Sequence, residues 1–527
     1  LIALDEKEMA FMNLKQFIIP ALLVGAALAL SRRARHQPVD PKPDSTTQPA
    51  SGDCTYAEID VYLAEQMRRL HIPGAALAII EGDRIVHQRG FGRARPGGEV
   101  PTPRTPFFIG SLTKSFTALA VMQLVEAGKV TLDAPVQRYL PWFRVADLQA
   151  SAQMTVRHLL NQTSGLSMLP GMTNLGDLNN APDATERQVH ALSTLKIHRP
   201  VGTQFEYSNL NYNILGLIVA AASGESYPDY IQRHIFDPLE MHHSYTTKTT
   251  ARENNLAVGH RHWFSLPFPA PNLPIPAGSL PSGQLISCAE DISHYLIAHL
   301  NGGCYQDARI LSSAGIDELH HGAAKLGVPG FSAGLYGMGW FEIDLGQIKT
   351  YSHGGNVPDF SAFMALVPDQ NKAVVLLFNA DPYGLPIVTE ETGMGVTALL
   401  AGQQPAPIRL EFVQWIMRLL PLIPLLQVIG VFATLRRLRQ WDRHPTLRPG
   451  DGRASAQQIL LPLVPNLSLT AALFYLRSSG LMRYLYFYMP DVAWIARISG
   501  GFASIWALLH TGQILAARRA RLPSDYL

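Results

Sequence analysis

Three cysteines in 527 residues, Cys54, Cys288 and Cys304, are too few and too oddly spaced for a disulfide framework or a cysteine-based metal site. Cys288 and Cys304 either pair, if their region is extracytoplasmic, or stand as separate thiols. Cys54 lies well past the N-terminal apolar run and does not read as a lipid-anchor cysteine. Charge is scarce as well: only 16% of residues are charged, and 43 Lys and Arg nearly cancel 41 Asp and Glu. That balance excludes a chain-wide nucleic-acid footprint. There is no GxGxxG or P-loop and no internal repeat. The histidine pairs His242-His243 and His320-His321, and His260 with His262, form no coherent ligand pattern, so neither a metal nor another cofactor is expected.

What the chain has instead is apolar residues, 47% of the total, and the shortage of charge is concentrated at its two ends. The length calls for two or three structural units. Phe17 to Leu30 form an apolar run after Lys15, with Met12 a natural start, so residues 12–31 read as a signal peptide or signal anchor. Arg32, Arg33 and Arg35 just beyond it argue the other way, because positive charge stays on the cytoplasmic side. Residues 32–53, rich in Pro, Ser and Thr, read as a linker. Past Pro407, within 411–527, three further apolar stretches follow: Phe412 to Leu435, Ile459 to Leu476 and Ile498 to Ala517. Each suits a hydrocarbon core that needs about 20 helical residues. If all three span, Arg436, Arg437, Arg439, Arg443 and Arg448 fall on the same side as Arg518, Arg519 and Arg521. The positive-inside rule then places these clusters in the cytoplasm and the rest of the protein outside.

Between the ends, residues 54–402 have a globular pattern. It opens with an amphipathic helix (Ile59, Leu63, Met67, Leu70) and a hairpin, Ala75 to Ile80 and Arg84 to Gly90 around a Glu-Gly-Asp turn. It closes with strands at Gly339 to Leu345, Thr350 to His353, Phe360 to Val367 and Ala373 to Asn379. Strands at both ends with helices between them predict one α/β sheet built from the two termini, with a helical lobe inserted.

Three short elements carry chemistry. Gly110-Ser111-Leu112-Thr113-Lys114 heads an apolar helical run; it places a serine at the positive end of a helix dipole and a lysine one turn later on the same side. Serine needs an adjacent base, and a lysine whose pKa is lowered by burial is one. The plain alternative for these residues is an N-cap serine beside a solvated lysine. Tyr207-Ser208-Asn209 precedes a second helix; the phenol suits a proton relay and the Asn209 amide offers both donor and acceptor to a substrate amide. His353-Gly354-Gly355-Asn356 ends a predicted strand, and its glycines let a substrate carbonyl approach closely. A backbone N–H there would complete an oxyanion hole with that of Ser111. A competing nucleophile elbow, Gly330-Phe331-Ser332-Ala333-Gly334, lacks the strand before and helix after that such an elbow requires.

In this order and spacing, the three elements resemble the serine β-lactamase and D-alanyl-D-alanine carboxypeptidase superfamily, particularly its class C β-lactamase-like and esterase branch. The resemblance covers about Tyr56 to Leu400. It extends to Leu132-Asp133-Ala134-Pro135-Val136, Thr163-Ser164-Gly165-Leu166, Phe236-Asp237-Pro238-Leu239 and Tyr336-Gly337-Met338-Gly339-Trp340. It implies an antiparallel β-lactamase-like sheet flanked by helices. It also implies an acyl-enzyme on Ser111, with Lys114 and Tyr207 as coupled base and acid and with Asn209, His353, Gly354, Gly355 and Asn356 at the substrate. Class C β-lactamases have lysine where His353 stands, which turns the expectation toward peptidases and esterases; Gln162 replaces the histidine of many relatives. The implied protein is a bacterial inner-membrane hydrolase with its catalytic domain in the periplasm or outside the cell. It would act on small-molecule or peptide substrates, D-residue-containing or acylated, in contact with membrane lipid and with no nucleic-acid partner. An esterase, a β-lactamase and a non-catalytic penicillin-binding sensor are the alternatives.

Overall fold

β1, Gly74–Glu81, is apolar at almost every position, so both of its faces must be covered. Ala76, Ala78 and Ile80 enter one core and Ala75, Leu77 and Ile79 another, on opposite sides of the sheet. The computed structural model describes residues 54–173, 181–270, 275–326, 334–444, 446 and 461–519. The expected signal segment, the linker and Ser332 lie outside them.

β1 pairs with β2, Arg84–Gly92, as the hairpin read from sequence, with a bulge between Ile79 and Ile80. The other strands of the sheet come from the far end of the catalytic region: β3 (Ala324–Lys325), β4 (Gly334–Tyr336), β5 (Phe341–Leu345), β6 (Ile348–Val357), β7 (Phe360–Val367) and β8 (Lys372–Phe378). Their order is β2-β1-β8-β7-β6-β5-β4-β3, antiparallel at every pairing. The termini of the catalytic region meet at Ala75 opposite Phe378. One sheet closed by both ends is the predicted arrangement, and β3 and β4 add an edge that the apolar pattern did not signal.

Helices cover both faces. α1, Cys54–Leu70, sends Ile59, Leu63, Met67 and Leu70 into the outer core, where they meet Val388, Val396 and Leu400 of α5, Pro386–Leu400. The inner face carries the helical lobe around α2, Thr113–Glu126, whose residues are buried nearly all round. α3, Asn209–Ser223, and α4, Ala289–Leu300, pack in the same inner core. Cys288 and Cys304 are both free thiols, so the open question of their pairing resolves to separate sulfurs.

After α5 the chain runs into helix Glu411–Leu419, then α6 (Leu422–Arg443), α7 (Leu461–Ser478), α8 (Leu481–Tyr488) and α9 (Pro490–Arg519). Two helical segments, Glu411–Arg443 and Pro490–Gln513, are long and apolar enough to cross a membrane by length and composition. α7 is shorter, at 18 residues, with Pro465 inside it. α9 begins eight residues before the apolar stretch read from sequence, because Pro490 starts the helix. Polar bonds join these helices: Gln427 Nε2 to Ser499 O at 3.0 Å, Trp506 Nε1 to Thr434 Oγ1 at 2.9 Å, and Thr470 Oγ1 with Ser504 Oγ at 3.2 Å. Leu426, Phe432, Val464, Phe474 and Leu508 point outward and exposed.

The catalytic region holds this helical part through several contacts among the described residues. Arg69 reaches Glu411 and the Ile408 carbonyl, and the Asp491 carboxylate accepts from Phe264 N at 2.9 Å. The segment from Glu411 and α9 thus both start at the catalytic region, and Arg436, Arg437, Arg439 and Arg443 lie toward the far end of α6.

Candidate active site

Ser111 lies in a single 3₁₀ turn, Gly110–Leu112, that leads into α2. It is not the cap of either helix, since no side-chain cap bond forms at Ile109 or Leu112. The plain N-cap alternative therefore fails. Lys114 is not solvated either; it has no exposed surface. Its Nζ lies 2.9 Å from Ser111 Oγ, 2.8 Å from Asn209 Oδ1 and 2.6 Å from the Ser282 carbonyl. Burial holds its amine well below the usual lysine range.

Tyr207 comes from the segment before α3, with its ring 4.8 Å from Lys114 Nζ and its hydroxyl on the Ser111 side. Desolvation keeps this phenol protonated, above its ordinary pKa. Tyr336 of β4 packs edge-on against it, ring centroids 6.4 Å apart. Ser111 and Lys114, and Tyr207 and Asn209 more than ninety residues further along the chain, converge on one point.

The fourth wall is β6. Its pairing with β5 ends at Ser352 opposite Phe341, so Gly354 to Val357 have no strand beside them on that side. The Ser111 turn takes that place. A Cβ on Gly355 would stand 2.1 Å from the Ile109 carbonyl, and one on Gly110, at φ +54°, would stand 2.5 Å from Asn356 N. Only glycine at both positions lets strand and turn approach this closely. Gly354 faces the other way, against the Glu390 carboxyl, which burial and Glu391 push up to about 7. The Asn356 side chain also turns behind the strand, bonding Asp381 at 2.8 Å, so what this residue offers toward Ser111 is its backbone N–H.

His353 is buried among aromatic rings, with centroids 5.0 Å from Phe341, 6.2 Å from Tyr336 and 6.3 Å from Tyr207. Its Nδ1 bonds the Gly354 carbonyl at 2.6 Å, and Nε2 has no hydrogen-bond partner among the described residues. Burial and the nearby Lys114 drive its pKa down to about 3, so the ring is neutral. It supplies no counterpart to the lysine charge that class C β-lactamases carry there.

Gln162, for which the sequence gives no mechanistic role, is a clamp. Its backbone carbonyl accepts from Glu206 N at 2.8 Å and its Oε1 from Ser208 N at 2.9 Å, the two peptide groups that bracket Tyr207. Oε1 also accepts from the Asn211 amide, 2.5 Å away. To do this Gln162 sits at φ +57° with no exposed surface. The Ser282 carbonyl on Lys114 is likewise invisible in sequence, because a backbone acceptor leaves no residue-type signal.

The histidine pairs fill other places. His299 and His320 bond each other at 3.0 Å beside Trp340 in the core. His243, Cys288 and Asp291 bring their ligand atoms within 4.8 Å of one another, a grouping not foreseen from sequence. Hydrogen bonds account for it: Cys288 Sγ accepts from Asp291 N as the cap of α4, and Asp291 accepts from His243 N and Ser244 Oγ, both at 2.7 Å.

The sequence profile of the family described as Beta-lactamase matches residues 59–391. Among curated proteins the chain is 29% identical to Protein flp of Staphylococcus aureus, over 63% of this chain and 65% of that one. It is 33% identical to penicillin-binding protein 4 of Amycolatopsis lactamdurans, over 59% of this chain and 81% of that one. The octameric penicillin-binding protein homologue from Pyrococcus abyssi superposes with a TM-score of 0.59 at 29% identity, covering 66% of this chain and 78% of that one. The chain spans just under two thirds of the length of the Staphylococcus aureus relative. With the profile spanning more than half of the chain and the Ser111 site inside it, this protein belongs to the Beta-lactamase family.

Proposed function

We propose that the protein is a membrane-anchored hydrolase that cleaves an amide or ester through an acyl-enzyme on Ser111, acting outside the cytoplasm on D-residue-containing or acylated peptides. The observation that carries this reading is the desolvated Lys114 amine 2.9 Å from Ser111 Oγ. A neutral amine has two N–H groups and one lone pair. Asn209 Oδ1 and the Ser282 carbonyl are acceptors that take the two N–H groups, which leaves the lone pair for the Ser111 proton.

On this reading Ser111 Oγ attacks the substrate carbonyl while its proton passes to Lys114. The developing oxyanion is held by the N–H groups of Ser111 and Asn356. As the carbonyl–leaving-group bond breaks, Tyr207 gives its proton to the leaving atom and regains one from Lys114. Water then attacks the ester on Ser111, loses its proton to the same pair, and the acid product leaves with Ser111 protonated again. The neutral His353 favours leaving groups without a carboxylate, which supports a peptidase or esterase over a β-lactamase.

Anchoring is supported by the outward apolar side chains of α6, α7 and α9, an exposed band of large hydrophobic residues of the kind that marks an interaction surface. We read all three helices as spanning, with Arg436, Arg437, Arg439 and Arg443 cytoplasmic. Because two relatives bear the name penicillin-binding, a fluorescent penicillin serves as probe, followed by a chase with unlabelled buffer. An enzyme labels on Ser111 and frees itself; a sensor stays acylated; no label on Ser111 from either penicillin or a fluorophosphonate sinks the reading.

A further inference from the structure

A cavity between the C-terminal helices takes no part in the reaction above. Residues of α7, α8 and α9 line about 640 Å³ of space, and each helix brings one arginine to it: Arg477, Arg483 and Arg497. On α9 the spacing alone does this, because Arg497, Gly500, Gly501 and Ser504 recur at i, i+3, i+4 and i+7 and share one face. The three arginines are exposed and make no ion pair among the described residues. No Asp or Glu lines the cavity. Arg497 donates to the Tyr486 hydroxyl, which leaves that hydroxyl its own hydrogen for another acceptor. Glycine keeps the cavity open, since a Cβ at Gly501 would meet nothing within 4 Å.

Its position points to the ligand. Arg497 follows Asp491, which holds Phe264 N of the catalytic region, at a helical distance of about 9 Å. That is close to the depth of a headgroup layer, roughly 5–8 Å on each side of the hydrocarbon. On the topology proposed above this end of the helices is extracytoplasmic, where the positive-inside rule disfavours a cluster of arginines. Three guanidinium groups without an acid are matched there by an anion, and a bilayer presents phosphates at that level, which guanidinium binds bidentately. With no carboxylate to receive an ammonium, the cavity suits an anionic headgroup better than a zwitterionic one. We propose that it binds the phosphate of an anionic membrane lipid through Arg477, Arg483 and Arg497; this rests on the membrane-anchored reading above.

The test mixes the full chain in detergent with equimolar phosphatidylglycerol and phosphatidylethanolamine of the same acyl chains and counts retained lipid by native mass spectrometry. The wild type should keep one phosphatidylglycerol, enriched over phosphatidylethanolamine by about tenfold or more. Arg483→Gln and Arg497→Gln should each lower the enrichment by about fivefold, the worth of one arginine at an anionic lipid surface. Gly501→Leu, which removes no charge, should lower it by filling the cavity. Ester turnover on Ser111, retained in each variant, shows that the variant is folded. A wild-type enrichment near one overturns the site, as does one that survives Arg477→Gln, Arg483→Gln and Arg497→Gln combined. An equal loss from Arg436→Gln with Arg437→Gln would mean general charge attraction and overturns it too. Displacement of the lipid by an equal concentration of inorganic phosphate would make this a site for free phosphate and overturn the lipid assignment. Flotation with phosphatidylcholine vesicles, which lack the anionic headgroup, tests the anchoring separately: failure to float overturns the anchored reading and the site with it, whereas flotation without phosphatidylglycerol enrichment overturns the site alone.

Discussion

Lys114 has to be neutral to accept a proton, and the fold keeps it so by leaving it no water. Its protonation therefore sets a limb of the pH profile. The ammonium predominates below the folded pKa, so kcat/KM should fall as pH drops through that value and be complete above it, well below the ordinary lysine value of 10.5. A limb near 10.5 would mean a solvated lysine. The linkage has the opposite consequence for folding: the unfolded chain binds this proton more readily, so Lys114 costs stability below the ordinary lysine range, and the cost fades as pH rises toward it. Lys114→Arg, which cannot deprotonate, should lower kcat/KM by roughly a thousandfold, within the range of a lost general base. Gln162 acts one step away from the chemistry, through the peptide groups on either side of Tyr207. Gln162→Ala should lower kcat by about tenfold to a hundredfold with KM little changed, while Ser111 still reacts with a fluorophosphonate. A variant that loses only thermal stability, with kcat intact, would make Gln162 a structural residue alone.

At the scale of elements, the site depends on a strand and a turn meeting without side chains between them. Gly355→Ala puts a methyl group where the Ile109 carbonyl lies and must push β6 away from Ser111. A shift of about 1 Å in such a site costs on the order of a hundredfold in rate, so kcat/KM should fall by that much for every substrate alike. Near wild-type kinetics would show that Asn356 N is not needed at the oxyanion. The main strands were legible because their residues are apolar and β-branched and their turns carry glycine or proline. The amphipathic helix α1 was legible because its four apolar residues keep helical spacing. The edge strands β3 and β4 are two and three residues long, too short to show a period. Ser111, Lys114 and Tyr207 were readable as residue types in motifs. The roles of Gln162 and the Ser282 carbonyl were not, because a left-handed backbone and a peptide oxygen are properties of the folded chain. For Asn356 the sequence named the residue without saying which part of it faces Ser111; the structure turns the side chain behind the strand and leaves the N–H in front.

Taken whole, the molecule sets the end of its sheet against its C-terminal helices: Phe487 and Tyr488 of α8 line the cavity next to β6. With the segment from Glu411 and α9 both starting at the catalytic region, cysteines introduced at Arg439 and at exposed Arg84 should be labelled by an impermeant maleimide from opposite sides of intact cells. Arg84 should react from outside and Arg439 only after permeabilisation. The reverse pattern would invert the topology, and equal access would remove the membrane reading. Everything said of the chemistry depends on a covalent intermediate at one serine. The most direct measurement is mass spectrometry of the full chain quenched during turnover of p-nitrophenyl hexanoate, with the acylated peptide sequenced. The acyl group is expected on Ser111, and it should be absent from Ser111→Ala, which should also lose turnover. An acyl group on Ser332, or turnover preserved in Ser111→Ala, would contradict it.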